Sequence, residues 1–164
     1  MTSHQRAALI SVSDKTGLVD IAKFLQSEGF VLLSTKGTGS FLSEHGVTVT
    51  SIEEYTGQKE FLDGRVKTLH PRIHGGLLAR RDSEAHMRQL LEAETLAIDV
   101  ALVNLYPFLE AFNSKESKTE PEMVELIDIG GPTMIRAAAK NFSSVYPVID
   151  PSDYPRLQEI LRAE

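Results

Sequence analysis

Residues 64–71 read GRVKTLHP: two cations, a hydroxyl and an imidazole within six positions, ending at a proline. Amines and imidazoles move protons, and clustered cations hold anions. From Arg65 to Arg81 the chain carries five Lys or Arg, two His and no acid, although the net charge is −6. A basic island in an acidic chain points to one small anion rather than a polymer. A solvated basic helix face has the same composition.

Three further stretches carry chemistry. SVSDKTG (residues 11–17) places Ser13, Asp14 and Lys15 just before a helical pattern. The free N–H groups of a helix N-terminus attract anions, and Ser13 and Lys15 suit a phosphate there. Capping by Ser13 or Asp14 accounts for the same residues. STKGTGS (residues 34–40) puts Thr35, Lys36, Gly37 and Thr38 before a second helix, suited to cradling an oxyanion with backbone amides. It matches no Walker or dinucleotide fingerprint, and a turn capped by Thr38 also explains it. In NLYPF (residues 104–108), Asn104 offers an amide and Tyr106 a phenol that can donate to developing negative charge. Packing at the core edge is the alternative for Tyr106.

DIGGPTMIRAAAKN (residues 128–141) is the most pointed stretch. Gly130 and Gly131 allow close approach to the backbone, and Pro132 suits the start of a helix. Asp128 lies at the lip of this turn. Lys140 is a second candidate lysine, or a cation at the helix C-terminus.

These residues need elements to position them. Strand patterns occur at residues 7–11, 30–34, 47–50, 98–106 and 144–150, the fourth apolar nearly throughout. Helical patterns follow at 18–28, 39–45, 83–96 (Ser83 as N-cap), 120–128, 132–141 and 151–164 (Asp153 as N-cap, Pro155 in the first turn). Residues 51–79, rich in Gly, His and charge, match neither period. Alternating strands and helices predict an α/β fold, a three-layer, doubly wound, mostly parallel sheet. Ligands in such folds sit at the carboxyl ends of the strands, near the switch point, and the residues with chemistry are expected there.

The chain has 164 residues, the size of one domain, so residues 1–164 are expected to form a single unit. There are no cysteines, which excludes disulfides and thiolate metal sites. No His, Asp and Glu spacing reads as a metal site; His70 and His74 are four apart, but Pro71 interrupts them. No cofactor is called for. The acidic balance argues against nucleic acid, and no apolar run approaches a membrane span or a signal peptide. A cytoplasmic protein is expected.

SVSDKTGL, GRVKTLHPRIHGGLLARR, VNLYPF and IDIGGPTMIRAAAKN together resemble the inosine monophosphate (IMP) cyclohydrolase domain of the bifunctional purine-biosynthesis enzyme. The resemblance runs from about Ala8 to Tyr154. It implies a methylglyoxal-synthase-like fold and closure of formylaminoimidazole carboxamide ribotide (FAICAR) to IMP with loss of water. Lys67, Tyr106, Asp128 and Lys140 match the family's catalytic positions. The resemblance places Ser13, Asp14, Lys15 and the loop Thr35, Lys36, Gly37 and Thr38 on phosphate and ribose. It puts Arg65, Val66, Lys67 and Thr68 on the base and phosphate side, and Asn104, Asp128, Ile129 and Gly130 on the purine.

Two departures stand out. Lys36 replaces the first of two family glycines, where a side chain would crowd the phosphate or add charge to it. GQKE (residues 57–60) replaces Gly-Phe-Pro-Glu. The family's transformylase domain is absent from this sequence, which leaves a free-standing enzyme and a fragment equally open. A homodimer, and a transformylase partner supplied separately or missing, remain open as well. Methylglyoxal synthase and a non-catalytic nucleotide-binding regulatory module are the alternative functions; turnover of dihydroxyacetone phosphate, or binding of IMP without turnover, distinguishes them.

Overall fold

The computed structural model describes residues 5–114 and 118–163. Five strands form one all-parallel sheet: β1 (Ala7–Ser11), β2 (Val31–Ser34), β3 (Thr50–Ser51), β4 (Ile98–Val103) and β5 (Tyr146–Val148), in the order β3-β2-β1-β4-β5. The chain winds outward from β1 to β3, then returns to the other side of β1 for β4 and β5. The winding reverses between β1 and β4, which is where a doubly wound sheet opens a crevice.

Helices cover both faces. α1 (Leu18–Ser27), α2 (Lys36–Glu44) and the closing α9 (Tyr154–Ala163) pack on one face with Ala8, Ile10, Val100 and Leu102. α3 (Ile52–Thr56), α4 (Pro71–Leu78) and α8 (Gly130–Lys140) pack on the other with Ala7, Leu9, Ile98, Ala101 and Val103. α5 (Glu84–Glu92) closes a small satellite cluster through Leu90. α6 (Phe108–Asn113) and α7 (Glu120–Glu125) bury no residue.

Alternation along β1 follows the period of two. On β4, Ile98 and Ala101 share a face although three positions apart. The register explains it: Ala7 pairs with Ile98 and Ala8 with Val100, so Asp99 is an extra, bulged residue. Its carboxylate accepts the Ala7 N–H at 3.1 Å and lies 3.6 Å from the Arg81 guanidinium.

The expected three-layer, doubly wound sheet is present, and every observed strand pair is parallel. Boundaries shift where side chains override local pattern. α2 starts at Lys36, drawing Gly37 into its first turn. β3 is a two-residue edge strand starting at Thr50, because only Thr50 and Ser51 reach β2. β4 ends at Val103, and α7 ends at Glu125. Asp153 does not cap α9. Asp150 accepts the Ser152 N–H at 2.8 Å, and a 3₁₀ turn (Pro151–Asp153) leads into the helix. Ser83 caps α5 as expected, accepting the His86 N–H at 3.4 Å.

The unassigned stretch 51–79 resolves into α3, a 3₁₀ turn (Leu62–Gly64) and α4. His70 caps α4, its Nδ1 accepting the Arg72 N–H at 3.1 Å, with Pro71 as first helical residue. No helix among the described residues is long and apolar enough to cross a membrane.

Candidate active site

A cleft of about 570 Å³ opens at the carboxyl ends of β1 and β2, floored by Ser11 and Thr35. Its walls come from Asp63, Gly64, Arg65, Lys67 and Thr68, from Tyr106 and from residues 124–131. A second cavity of about 360 Å³ adjoins it between α2 and α3. Thr35 and Lys67 line both.

The turn after β1 is held from β4. Asn104 Oδ1 accepts the N–H groups of Ser13 at 2.6 Å and Asp14 at 2.9 Å, while Nδ2 donates to the Asp14 carbonyl at 3.0 Å. Asn104 therefore braces this turn and does not line the cleft, where contact with the purine was expected. Ser13 and Asp14 are exposed. Asp14 accepts the Thr16 N–H at 2.9 Å, which holds its carboxyl below the usual 3.8. Lys15 lies 5.7 Å over the Phe41 ring.

No side chain caps the N-terminus of α1 or of α2, so backbone donors at both stay available to an oxyanion. Within the second loop the residues divide their work. Thr38 is buried; its hydroxyl accepts the Val12 N–H and donates to the Val12 carbonyl, both at 3.2 Å. It ties α2 to the turn after β1 and is a strut rather than a free ligand. The Thr35 hydroxyl lies 3.4 Å from those of Ser11 and Thr38. Gly37 is open to solvent, and Lys36 is exposed along the neighbouring cavity, so its side chain does not block the first turn of α2.

The basic island does not act as a unit. Arg72 donates to the Tyr55 carbonyl at 2.6 Å and to the Glu94 carbonyl, and stacks over the Tyr55 ring. Arg80 pairs with Asp82 on the surface. Arg81 donates to the carbonyls of Ala79 and Ile98 at 2.5 and 2.7 Å and pairs with Asp99. Burial lowers its pKa below the usual guanidinium range, against the pull of Asp99. Only Arg65 and Lys67 reach the cleft. Arg65 pairs with Glu125 of α7; both are exposed, and such a pair contributes only about 0–1 kcal/mol, so an anion can displace the carboxylate. Lys67 Nζ lies 3.2 Å from Glu60 Oε1. Thr68 is buried, and Val66 is half-buried outside the cleft lining.

Across the cleft, Asp128 Oδ1 accepts the Gly131 N–H at 2.8 Å and so caps α8, while Tyr106 and Ile129 stand exposed at the rim. Gly130 abuts Thr68: a Cβ there would lie 2.5 Å from Thr68 Oγ1. Lys140 does not join this group. It sits exposed at the far end of α8, ten residues from Gly130, roughly 15 Å at the helical rise. The helix that presents Asp128 and Gly130 at its start carries Lys140 away. Lys67, Tyr106 and Asp128 share the cleft.

Sequence reasoning missed Glu60, Asp63, Gly64 and residues 124–127. Gly64 had a legible signal in the Asp-Gly pair; Glu60 had none beyond its charge. Among the described residues no cluster of three or more His, Asp or Glu could hold a metal ion.

Residues 17–133 match the family described as the MGS-like domain. The chain belongs to the MGS-like family. This MGS-like chain is also 54% identical over 157 residues to the bifunctional purine biosynthesis protein PurH of Acetivibrio thermocellus. It is 54% identical over 156 residues to the PurH of Leuconostoc mesenteroides subsp. mesenteroides. These alignments cover 96% and 95% of the chain but 30% of each relative, so the chain spans under a third of their length. The crystal structure of ForH superposes with a TM-score of 0.82 at 36% identity, covering 98% of this chain and 81% of that one.

Proposed function

We propose that this MGS-like chain closes FAICAR to IMP. The observation that carries the reading is the meeting of Lys67, Tyr106 and Asp128 in one cleft at the strand ends, beside the uncapped N-terminus of α2. Two PurH relatives at 54% identity support it.

A ribotide phosphate fits the α2 N-terminus and the Ser13–Lys15 turn, with Arg65 released from Glu125. The heterocycle then lies between residues 65–68 and 128–130. The carboxamide nitrogen attacks the formyl carbon of the same molecule. The carboxamide nitrogen loses one proton as it attacks, and the formamide nitrogen loses a second as its C=N bond forms; the formyl oxygen gains two protons, its C–O bond breaks, and it leaves as water. Holding both groups in one geometry supplies much of the acceleration, on the order of 7–11 kcal/mol where alignment is good. Lys67 and Tyr106 offer protons and positive potential to the formyl oxygen. Asp128 keeps Oδ2 for the carboxamide while Oδ1 holds the Gly131 N–H, and the Gly130 N–H offers a donor to the developing charge.

The test is turnover by the purified chain, followed by absorbance, with FAICAR and dihydroxyacetone phosphate as parallel substrates. IMP from FAICAR and no product from the triose phosphate is the expected result. No IMP, or methylglyoxal instead, contradicts the reading.

A further inference from the structure

Of the two residues that line both cavities, Thr35 and Lys67, only Lys67 carries an amine, so its position decides which cavity receives it. Three features fix that position, and none belongs to the residues already given a role. Glu60 Oε1 holds Lys67 Nζ at 3.2 Å. Glu60 is itself anchored: its N–H donates to Glu53 Oε1 of α3 at 3.1 Å. Between them the backbone makes a costly turn. Leu62, Asp63 and Gly64 all have positive φ, of 52°, 52° and 86°. Two of these are not glycine, and a non-glycine residue in this region costs of order 1–3 kcal/mol unless its surroundings enforce it. The turn folds the chain back so that the Glu60 and Lys67 side chains cross over Gly64. A Cβ on Gly64 would overlap Glu60 Oε1 and Lys67 Cε.

We infer that Glu60 is a positioning residue that acts through Lys67: its carboxylate, on a backbone anchored to Glu53, parks the Lys67 ammonium on the partition between the cavities, within reach of the main cleft. This deepens the cyclohydrolase reading and rests on it for the chemistry that Lys67 performs. An ammonium held in this way is ready to donate to the formyl oxygen. It stays on the partition instead of swinging toward Glu53 and Glu54 across the second cavity.

Two measurements on Glu60→Gln and Glu60→Asp test this. In NMR spectra of the lysine Cε and Nζ groups, with Lys67 assigned from Lys67→Arg, Glu60→Gln should shift the Lys67 signal and Glu60→Asp should restore it in part. An unmoved signal overturns the ion pair as the positioning element. In FAICAR kinetics, Glu60→Gln should lower kcat by ~10²-fold, the scale of an ångström-sized misplacement, with KM unchanged and partial rescue by Glu60→Asp. A raised KM with kcat intact, or equal losses in Gln and Asp variants with lowered thermal stability, overturns the proposal in favour of a structural role. Absence of turnover by the native chain removes the cyclohydrolase reading and the kinetic role with it, while the spectrum still decides the pairing.

Discussion

Asn104 at the end of β4 grips the backbone of Asp14 after β1 from both sides, accepting its N–H at 2.9 Å and donating to its carbonyl at 3.0 Å. The two strands flanking the switch point are thereby locked through one amide, and the Ser13–Lys15 turn is held against the cleft. Each such bond contributes about 1 kcal/mol net. Asn104→Ala should raise KM for the ribotide about tenfold, the equivalent of 1.4 kcal/mol, with a smaller effect on kcat. Asn104→Asp retains the acceptor but loses the donor and should fall between. A kcat loss with unchanged KM would instead make Asn104 a direct participant in the chemistry.

Gly64 separates backbone strain from side-chain geometry. Gly64→Ala meets both a left-handed φ of 86° and the crossing of Glu60 with Lys67. Gly57→Ala meets a similar φ of 73° with nothing within 4 Å. Both variants should lose about 1–2 kcal/mol in denaturant titrations, the cost of a side chain in that conformation. Only Gly64→Ala should also lose turnover.

The cations of residues 65–81 should sort into two classes. Arg81 is largely buried against Asp99 and two backbone carbonyls. Arg81→Met should cost about 3 kcal/mol of stability, since removing one partner of a buried pair leaves the other's desolvation uncompensated, and should leave kcat per folded molecule unchanged. Arg65→Met should do the reverse: stability within about 0.5 kcal/mol of native, as for an exposed pair, and weakened ribotide binding. Thermal denaturation and FAICAR kinetics on both variants check the division.

His74 gives the fold a pH dependence. Burial lowers its pKa from the usual 6.5, outweighing the hydrogen bond with the Thr68 backbone. Above 6.5 the ring is neutral folded and unfolded, and it contributes nothing. Below 6.5 the unfolded chain takes up the proton first, so stability falls as pH falls toward the depressed folded value. Asp14, Asp82 and Asp150 have lowered pKa values from 3.8, so their losses come at lower pH. Between about pH 6.5 and 5, native Tm should therefore drop more steeply than that of His74→Gln. Parallel slopes would contradict this.

Legibility in the sequence followed the range of the interactions. α1 was readable because Leu18, Ile21, Ala22 and Leu25 recur at helical spacing and are the residues it buries. β4 was readable because it is covered on both faces and apolar nearly throughout. The bulge at Asp99 was not, since it depends on register with β1. The five stretches were legible as carriers of chemistry, and each lends at least one residue to the cleft. What each side chain does there was less so. Asn104 and Thr38 look like ligands in sequence, but their partners are backbone groups 90 and 26 residues away. Lys140 sits on the same helix as Gly130, and only the direction of that helix shows that the two are apart. Glu60 gains its meaning from a left-handed turn whose Asp63-Gly64 pair was legible but whose crossing of Glu60 with Lys67 was not.

The central claim is that one ribotide occupies the cleft at the carboxyl ends of β1 and β2. A crystal structure of the chain soaked with IMP tests it most directly. The account predicts the phosphate at the N-terminus of α2 beside Ser13 and Lys15, and the base between Lys67 and Asp128. IMP seated outside that cleft, or no binding at concentrations that saturate catalysis, would contradict it.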